Sequence, residues 1–394
     1  MFTIGCVAFA ATSGACALAP GIATLVVLRV LQGIAGALVV PNSLAVLETT
    51  FRGDDRGTAI GRWAAWSAIT TAVGPLLGGW LVDAASWRWV FASVVVFALA
   101  AAWIVTRRTR RGGLPSPQAG GSAPAQLDYA GAALMTLGLA GVIGALIAGP
   151  DFGFVNPLVL AAGVGGTALL AAFVLREHRV VRRGGRPLLP VAVFRSRQFT
   201  GANVTTLFVY AALNGLFFLL MPQLQGNLGY SGLAAGAAIL PVNVILLAFS
   251  PLAGRVSARI GPRWPMALGA LVAAAGMALF ARVRPGASYV SAVLPATVVF
   301  GLGMAMLVAP LTVAVLGALD ESEAGIASGI NNAVARLAGL AAAAALPLAS
   351  GIGGLKQLSG PALTTGWIRA AWISAGLCAA GAVVALLTIR KPGK

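Results

Sequence analysis

The sequence predicts an all-α polytopic membrane protein of twelve spans, and three observations carry that prediction. Apolar runs near membrane-spanning length recur from end to end. Hydrophobic residues make up 59% of the 394 residues and charged residues only 9%, with a mean hydropathy of +0.91, more apolar surface than a soluble domain hides. Basic residues gather in short connections between the runs. The formal net charge of +17 would suit a nucleic-acid binder, but this distribution is that of an inner-membrane protein with cationic cytoplasmic loops. No nucleic-acid partner is expected.

In order, the runs are 2–19, 22–42, 58–82, 89–106, 129–149, 156–175, 199–221, 232–253, 264–281, 289–312, 326–349 and 367–389. Gly74-Pro75, Pro241 and Pro310 interrupt some of them, which neighbouring helices and polar side chains make tolerable. Cys6, Cys16 and Cys378 lie inside apolar runs and read as free packing thiols. The N-terminus has no basic segment followed by a small-residue cleavage signal, so no cleaved signal peptide is expected. Alternate connections hold twenty of the 27 basic residues, among them Arg52, Arg56 and Arg62, Arg107 to Arg111, Arg176 to Arg197, Arg255 to Arg263 and the C-terminal Arg390, Lys391 and Lys394. The opposite set holds Arg88, Arg282, Arg284, Lys356 and Arg369. That asymmetry places the first set and the C-terminus in the cytoplasm of a cell (inner) membrane protein. Acidic Asp320, Glu321 and Glu323 fall on the same side, where they carry little weight.

Two connections are longer. Residues 107–127 join a basic run to a Pro/Gly/Ser/Ala stretch, a flexible linker by composition. Residues 176–198 are basic around an apolar middle, Leu188 to Phe194, expected to lie on the membrane surface. The one histidine, His178, sits here as a solvated loop residue.

The second run carries Arg29, Gln32, Gly33 and Gly36, spaced i, i+3, i+4, i+7 on one helix face. An arginine inside such a span costs about 2.5–3.5 kcal/mol on insertion scales and needs a partner or a wet cavity. Snorkelling is the bland alternative, and Arg29 sits deep for it. The third run holds Gly74-Pro75-Leu76-Leu77-Gly78-Gly79, where Gly74 and Gly78 form a small-xxx-small pair for close helix packing and Pro75 loosens the helix. Between the eighth and ninth runs, Gly254, Arg255, Arg259, Gly261 and Arg263 suit a tight turn held to neighbouring helix ends and anionic lipid headgroups. In the seventh run Asn203, Thr206, Tyr210, Asn214, Phe217, Phe218 and Met221 recur at spacings that line one face. Such a stripe suits either a cavity for amphipathic molecules or a helix–helix interface glued by amides and hydroxyls. Ser328, Asn332 and Arg336 repeat the logic in the eleventh run, Arg336 as helix anchor or substrate contact.

These segments resemble the major facilitator superfamily, and within it the fourteen-helix drug:proton antiporter branch. Leu28 to Gly36 resembles the arginine motif of the fourth helix, and Gly74 to Gly79 the antiporter motif of the fifth, an exporter signal. The turn 254–263 resembles the second-half copy of the loop signature, and Leu127 to Gly131 the opening of the seventh helix. The resemblance implies a two-half helix bundle, with the twelve spans resembling helices 3 to 14 of fourteen and the first two helices lacking. The domains are then an incomplete N-terminal bundle of four spans (1–106), the linker (107–127), two extra central helices (128–175), a basic loop (176–198) and a six-helix C-terminal bundle (199–394).

It further implies proton-coupled multidrug efflux by alternating access, hence a role in antibiotic resistance, with the proton gradient as energy source and no cofactor or metal. The implied partners are a small organic substrate, protons and anionic lipid headgroups, with the protein a monomer. Two alternatives stand beside it: a carrier of a metabolite and a non-transporting truncated remnant. The acid the resemblance would place in the first helix is not in this chain, and none of the ten acids lies at the middle of a run. A membrane enzyme would need a cluster of nucleophile, acid/base or metal groups that the sequence does not offer.

Overall fold

The computed structural model describes residues 2–50, 70, 73–110, 128–184, 189–319, 323–353 and 359–389. Arg52, Arg56, Arg62, Arg111, Arg186, Asp320, Glu321, Lys356 and the C-terminal Arg390, Lys391 and Lys394 lie outside the described residues, as do linker residues 111–127 and most of 58–72. The described regular structure is helical: α1 (Phe2–Ala17), α2 (Ile22–Thr50), α3 (Val73–Ala84), α4 (Trp87–Arg110), α5 (Tyr129–Phe152), α6 (Pro157–Arg182), α7 (Arg197–Pro222), α8 (Gly232–Ile260), α9 (Arg263–Phe280), α10 (Leu294–Leu316), α11 (Ala324–Ala349) and α12 (Gly360–Thr388). Ten of these regions are long and apolar enough to cross a membrane, while α1 and the described part of α3 are shorter apolar helices. The twelve elements stand where the twelve runs were expected. Exposed Val155, Leu158, Leu18 and Ile22, each 79% exposed or more, make sense only where lipid replaces water.

The chain divides into two compact units, one of residues 1–125 with 231–237, the other of 126–230 with 238–394. In the first, α1 packs against both α2 and α4. Arg88, at the start of α4, donates to the Ala19 carbonyl just past the end of α1 (3.0 Å) and lies 4.6 Å from the Trp87 ring centre. It satisfies a carbonyl left over at a helix C-terminus, where a cation is favoured.

In the second unit, α5 and α6 form a hairpin. Asp128 caps α5 by accepting from Gly131 N (2.8 Å) and ties the hairpin through Arg176 (2.7 Å), while Asn156 caps α6 with Pro157 behind it. The basic segment differs from its expectation. Helix α6 runs on to Arg182, carrying exposed His178 on the helix, because Arg179 and Arg182 suit its negative end. The segment's apolar middle forms a 3-10 turn, Val191–Arg195, that turns Val193 inward (5% exposed) and sets the Phe194 ring on Phe199 at 5.5 Å, while Ala192 is exposed. Glu177 is buried there too and accepts from Leu189 N (2.7 Å).

Beside this hairpin, which meets the rest of the unit chiefly through α5 against α11, α7 packs on α11 and α12, α9 on α10 and α12, and α8 on α10. Phe199, Leu216, Met277, Phe280, Phe300 and Trp367 are fully buried and form the unit's centre. Trp367 donates its indole N–H to the Phe280 carbonyl (2.8 Å), removing the cost of a buried donor. Pro310 sits inside a continuous α10, whereas Pro241 follows a turn at Ile239 that divides α8. The three cysteines are free and buried.

Candidate functional site

Arg29, on α2, donates to the Gln32 side-chain oxygen (2.5 Å), and the Gln32 amide donates in turn to the Ser13 hydroxyl on α1. The Phe91 ring of α4 lies 5.8 Å from the guanidinium carbon. Three helices therefore hold one cation, through a relay of dipoles and an aromatic face. Gln32 and Ser13 are buried, while Arg29 is exposed on the surface of its unit. Gln32 takes one bond from a fork of five N–H donors, and among the described residues no carboxylate pairs with Arg29. Gly36 lies against the Phe9 ring, where a Cβ would come within 3.2 Å; Gly33 meets open space. Ser13 was not foreseen, since one serine in an apolar helix gives no signal of its own.

The antiporter-like segment makes its close approach one residue round from the expected pair. A Cβ on Gly74 or Gly78 would meet nothing within 4 Å. Gly79 is the tight position: a Cβ there would stand 2.2 Å from the Gly232 carbonyl oxygen, and one on Gly236 would stand 2.5 Å from the Pro75 carbonyl oxygen. Pro75 and Gly79 are one turn apart, so α3 and the first turns of α8 touch backbone to backbone. One more turn along, Asp83 accepts from Gly232 N (2.8 Å) and Leu233 N (2.7 Å), closing the N-terminus of α8. Asp83 lies just past the apolar run 58–82. The Leu233 and Gly232 amides hold its carboxyl below the usual carboxylate range.

The seventh-run stripe divides among three environments. Asn203 and Thr206 are buried and receive both amide hydrogens of Asn331 on α11, at 3.2 and 2.7 Å. Asn214 lies over Gly339 of the same helix and donates to the Tyr210 carbonyl (2.9 Å). Asn203 and Thr206 are therefore helix–helix glue, whereas Asn214 stays exposed. Phe217 turns into the core against Phe280 and Phe300, Met221 is half-buried, and Phe218 is half exposed. On α11 the contact residue is Asn331, whereas Ser328, Asn332 and Arg336 share a face exposed on the unit's surface.

In the turn after α8, Gly261 has φ 84°, a left-handed conformation that glycine adopts freely, and its N–H returns to the Ser257 carbonyl (2.8 Å) before Pro262. Gly254 makes only ordinary contact, with Ala309. Arg255 and Arg259 are exposed one turn apart, and Arg263 lies 5.9 Å from the Trp264 ring. Among the described residues no group of three or more His, Cys, Asp or Glu could hold a metal ion.

The chain matches the family model described as Major Facilitator Superfamily over residues 1–344. It is similar to the tetracenomycin C resistance and export protein of Streptomyces glaucescens, 31% identical over 86% of this chain and 61% of that protein. With the puromycin resistance protein of Streptomyces alboniger the identity is 34%, over 86% and 66% of the two chains. The multidrug resistance protein Stp of Mycobacterium tuberculosis is 32% identical over 84% and 60%. The chain thus spans about three-fifths to two-thirds of the length of these relatives. Among solved structures, the peptide transporter POT in complex with sulfate superposes at a TM-score of 0.67 and 16% identity, covering 98% of this chain and 78% of that one. A bacterial homolog of the human lysosomal transporter Spinster, inward-facing and unoccupied, gives 0.63 at 15% identity, covering 100% and 84%. At such identities the likeness is one of fold.

Proposed function

Because this chain belongs to the major facilitator superfamily, a family of membrane transporters and not of enzymes, we propose that the protein exports small organic compounds by alternating access, driven by inward proton flow. Relatives named for drug resistance and export support the direction of transport. The observation that carries the reading is Arg29, a cation inside a membrane helix with most of its donors unspent, held in place by Gln32 and Phe91. A fixed positive charge of this kind is costly in lipid and marks a substrate or ion pathway. Arg336, with Asn332 and Ser328 on one exposed face of α11, supplies a second polar surface for the path. Basic loops, anionic lipid headgroups and the C-terminus share the cytoplasmic side of the cell membrane, and the transporter works as a monomer.

The test is extrusion of a fluorescent cationic dye from energised cells expressing the full-length protein. Extrusion against the gradient, abolished by a protonophore at matched membrane expression, is the expected result. Protonophore-insensitive extrusion would remove proton coupling, and uptake of a metabolite without any dye extrusion would remove the exporter reading altogether.

A further inference from the structure

Where α6, α10 and α12 finish and α7 begins, residues 189–198 join all four helices. Three consecutive side chains at the far end of this segment reach two other helices. Ser196 Oγ donates to the Ala318 carbonyl just past α10 (3.3 Å), Arg197 to the Leu387 carbonyl in the last turn of α12 (3.0 Å), and Gln198 to the Ala314 carbonyl in the last turn of α10 (3.1 Å). Carbonyls in the last turn of a helix lack partners within it, and a cation suits that end. These bonds therefore tie the ends of α10 and α12 to the start of α7. Thr200 closes the turn by donating to the Phe194 carbonyl (2.6 Å). The near end of the segment is held differently. Leu189 N donates to Glu177 of α6 (2.7 Å), whose second oxygen is buried and has no hydrogen-bond partner among the described residues. A buried group satisfied on one side only is costly. Beyond this bond, α6 packs chiefly on α5, and the hairpin meets the rest of the unit chiefly through α5 against α11.

We propose that this segment is a releasable clasp. It stays fixed to α7, α10 and α12 through residues 196–198, and it opens at Glu177, freeing the Arg176 end of the hairpin to swing away from those helices. The asymmetry of its two ends decides which lets go. Parting at the far end would strand three carbonyls, whereas release at the near end gives up one N–H bond and returns both Glu177 oxygens to water. The 3-10 turn between the ends packs on α7, with Val193 buried and the Phe194 ring on Phe199. What leaves is therefore α6. Asp128 and Arg176 travel together, because their ion pair (2.7 Å) lies within the hairpin. The clasp is separate from Arg29, and its opening requires neither substrate nor gradient.

The experiment is distance measurement between paired nitroxides, by pulsed electron paramagnetic resonance, on the full-length protein in lipid nanodiscs. The native cysteines are buried, out of the label's reach, and the labelled positions are exposed. Arg179→Cys with Val313→Cys spans the clasp, and Val313→Cys with Leu387→Cys spans the junction of α10 and α12. The first pair is expected to give a short distance with a minor longer one, and the second pair a single narrow distance. Glu177→Ala should raise the long-to-short ratio of the first pair about fivefold, the worth of one hydrogen bond, and leave the second pair as it was. Glu177→Gln keeps an acceptor for Leu189 N and should match the parent. Leu189→Pro removes the donor of the same bond, and it takes the place of Glu177→Ala if that variant does not fold. A first pair unchanged by the loss of the bond, or a second pair that broadens along with the first, would overturn the proposal. No gradient is applied, so a protein that fails to export dye can still pass this test, and one that exports dye can still fail it.

Discussion

Arg29 and Gln32 are three residues apart, and three residues on a helix is contact distance. Their partnership was legible in the sequence for that reason. What the spacing could not supply was Ser13, nineteen positions back on another helix, or the choice of Asn331 over Asn332, which depends on which face of α11 meets α7. Asp83 was equally hidden, since the amides it accepts from lie about 150 residues away. In the full-length protein, Arg29→Ala is expected to bring dye extrusion down to the level of cells without the exporter, at unchanged membrane abundance. Arg29→Lys should fare little better, because a point charge cannot reproduce a planar fork that keeps Gln32 on one prong and offers the others. Wild-type extrusion by the alanine variant would make Arg29 a packing residue.

Helix positions followed from hydropathy because lipid demands long apolar helices and little else. Helix ends did not: α6 overran its apolar run, drawn on by cations that suit a helix C-terminus and by burial of Val193 and Glu177 behind it. The contact of α3 with the start of α8 is the strongest element-level feature, and two changes probe it. Gly79→Ala puts a methyl against the backbone oxygen of Gly232, which no rotamer relieves, and should cost about 1–3 kcal/mol of unfolding stability. Gly78→Ala, one residue away, should cost nothing measurable. Asp83 adds a dependence on pH. Its carboxyl is held below the ordinary range, so its contribution is whole above the unfolded value of about 3.9 and fades as pH falls through the lower folded value. Thermal unfolding of wild type and Asp83→Ala should therefore differ at neutral pH and converge in strong acid. A pH-independent difference would show that the charge contributes nothing.

At the scale of the molecule, the twelve apolar runs of the sequence and the lopsided loops imply a topology that labelling can check. Cysteines placed singly at Thr109, Gly185 and Ala258 should resist impermeant thiol reagents outside intact cells, whereas cysteines at Asn227 and Leu358 should react. Labelling at 109 or 185 from outside would reverse the orientation. The fold was readable because it depends on summed properties of many residues. The interior of each unit was not, because it depends on which helix turns which face to which neighbour, and hydropathy that is high all round a helix carries no such direction.

The burial of Trp367 has an optical consequence. Of the described tryptophans, Trp80, Trp87, Trp89, Trp103, Trp264 and Trp372 stand exposed to the surroundings, and Trp367 is sealed with its indole hydrogen-bonded to Phe280. Quenchers dissolved in the bilayer, such as brominated acyl chains, reach the former by collision and leave the latter emitting. With Trp63 and Trp66, which lie outside the described residues, replaced by phenylalanine, the residual fluorescence of a quenched sample is a gauge of the second unit's centre, and its wavelength will redden when that centre first admits water.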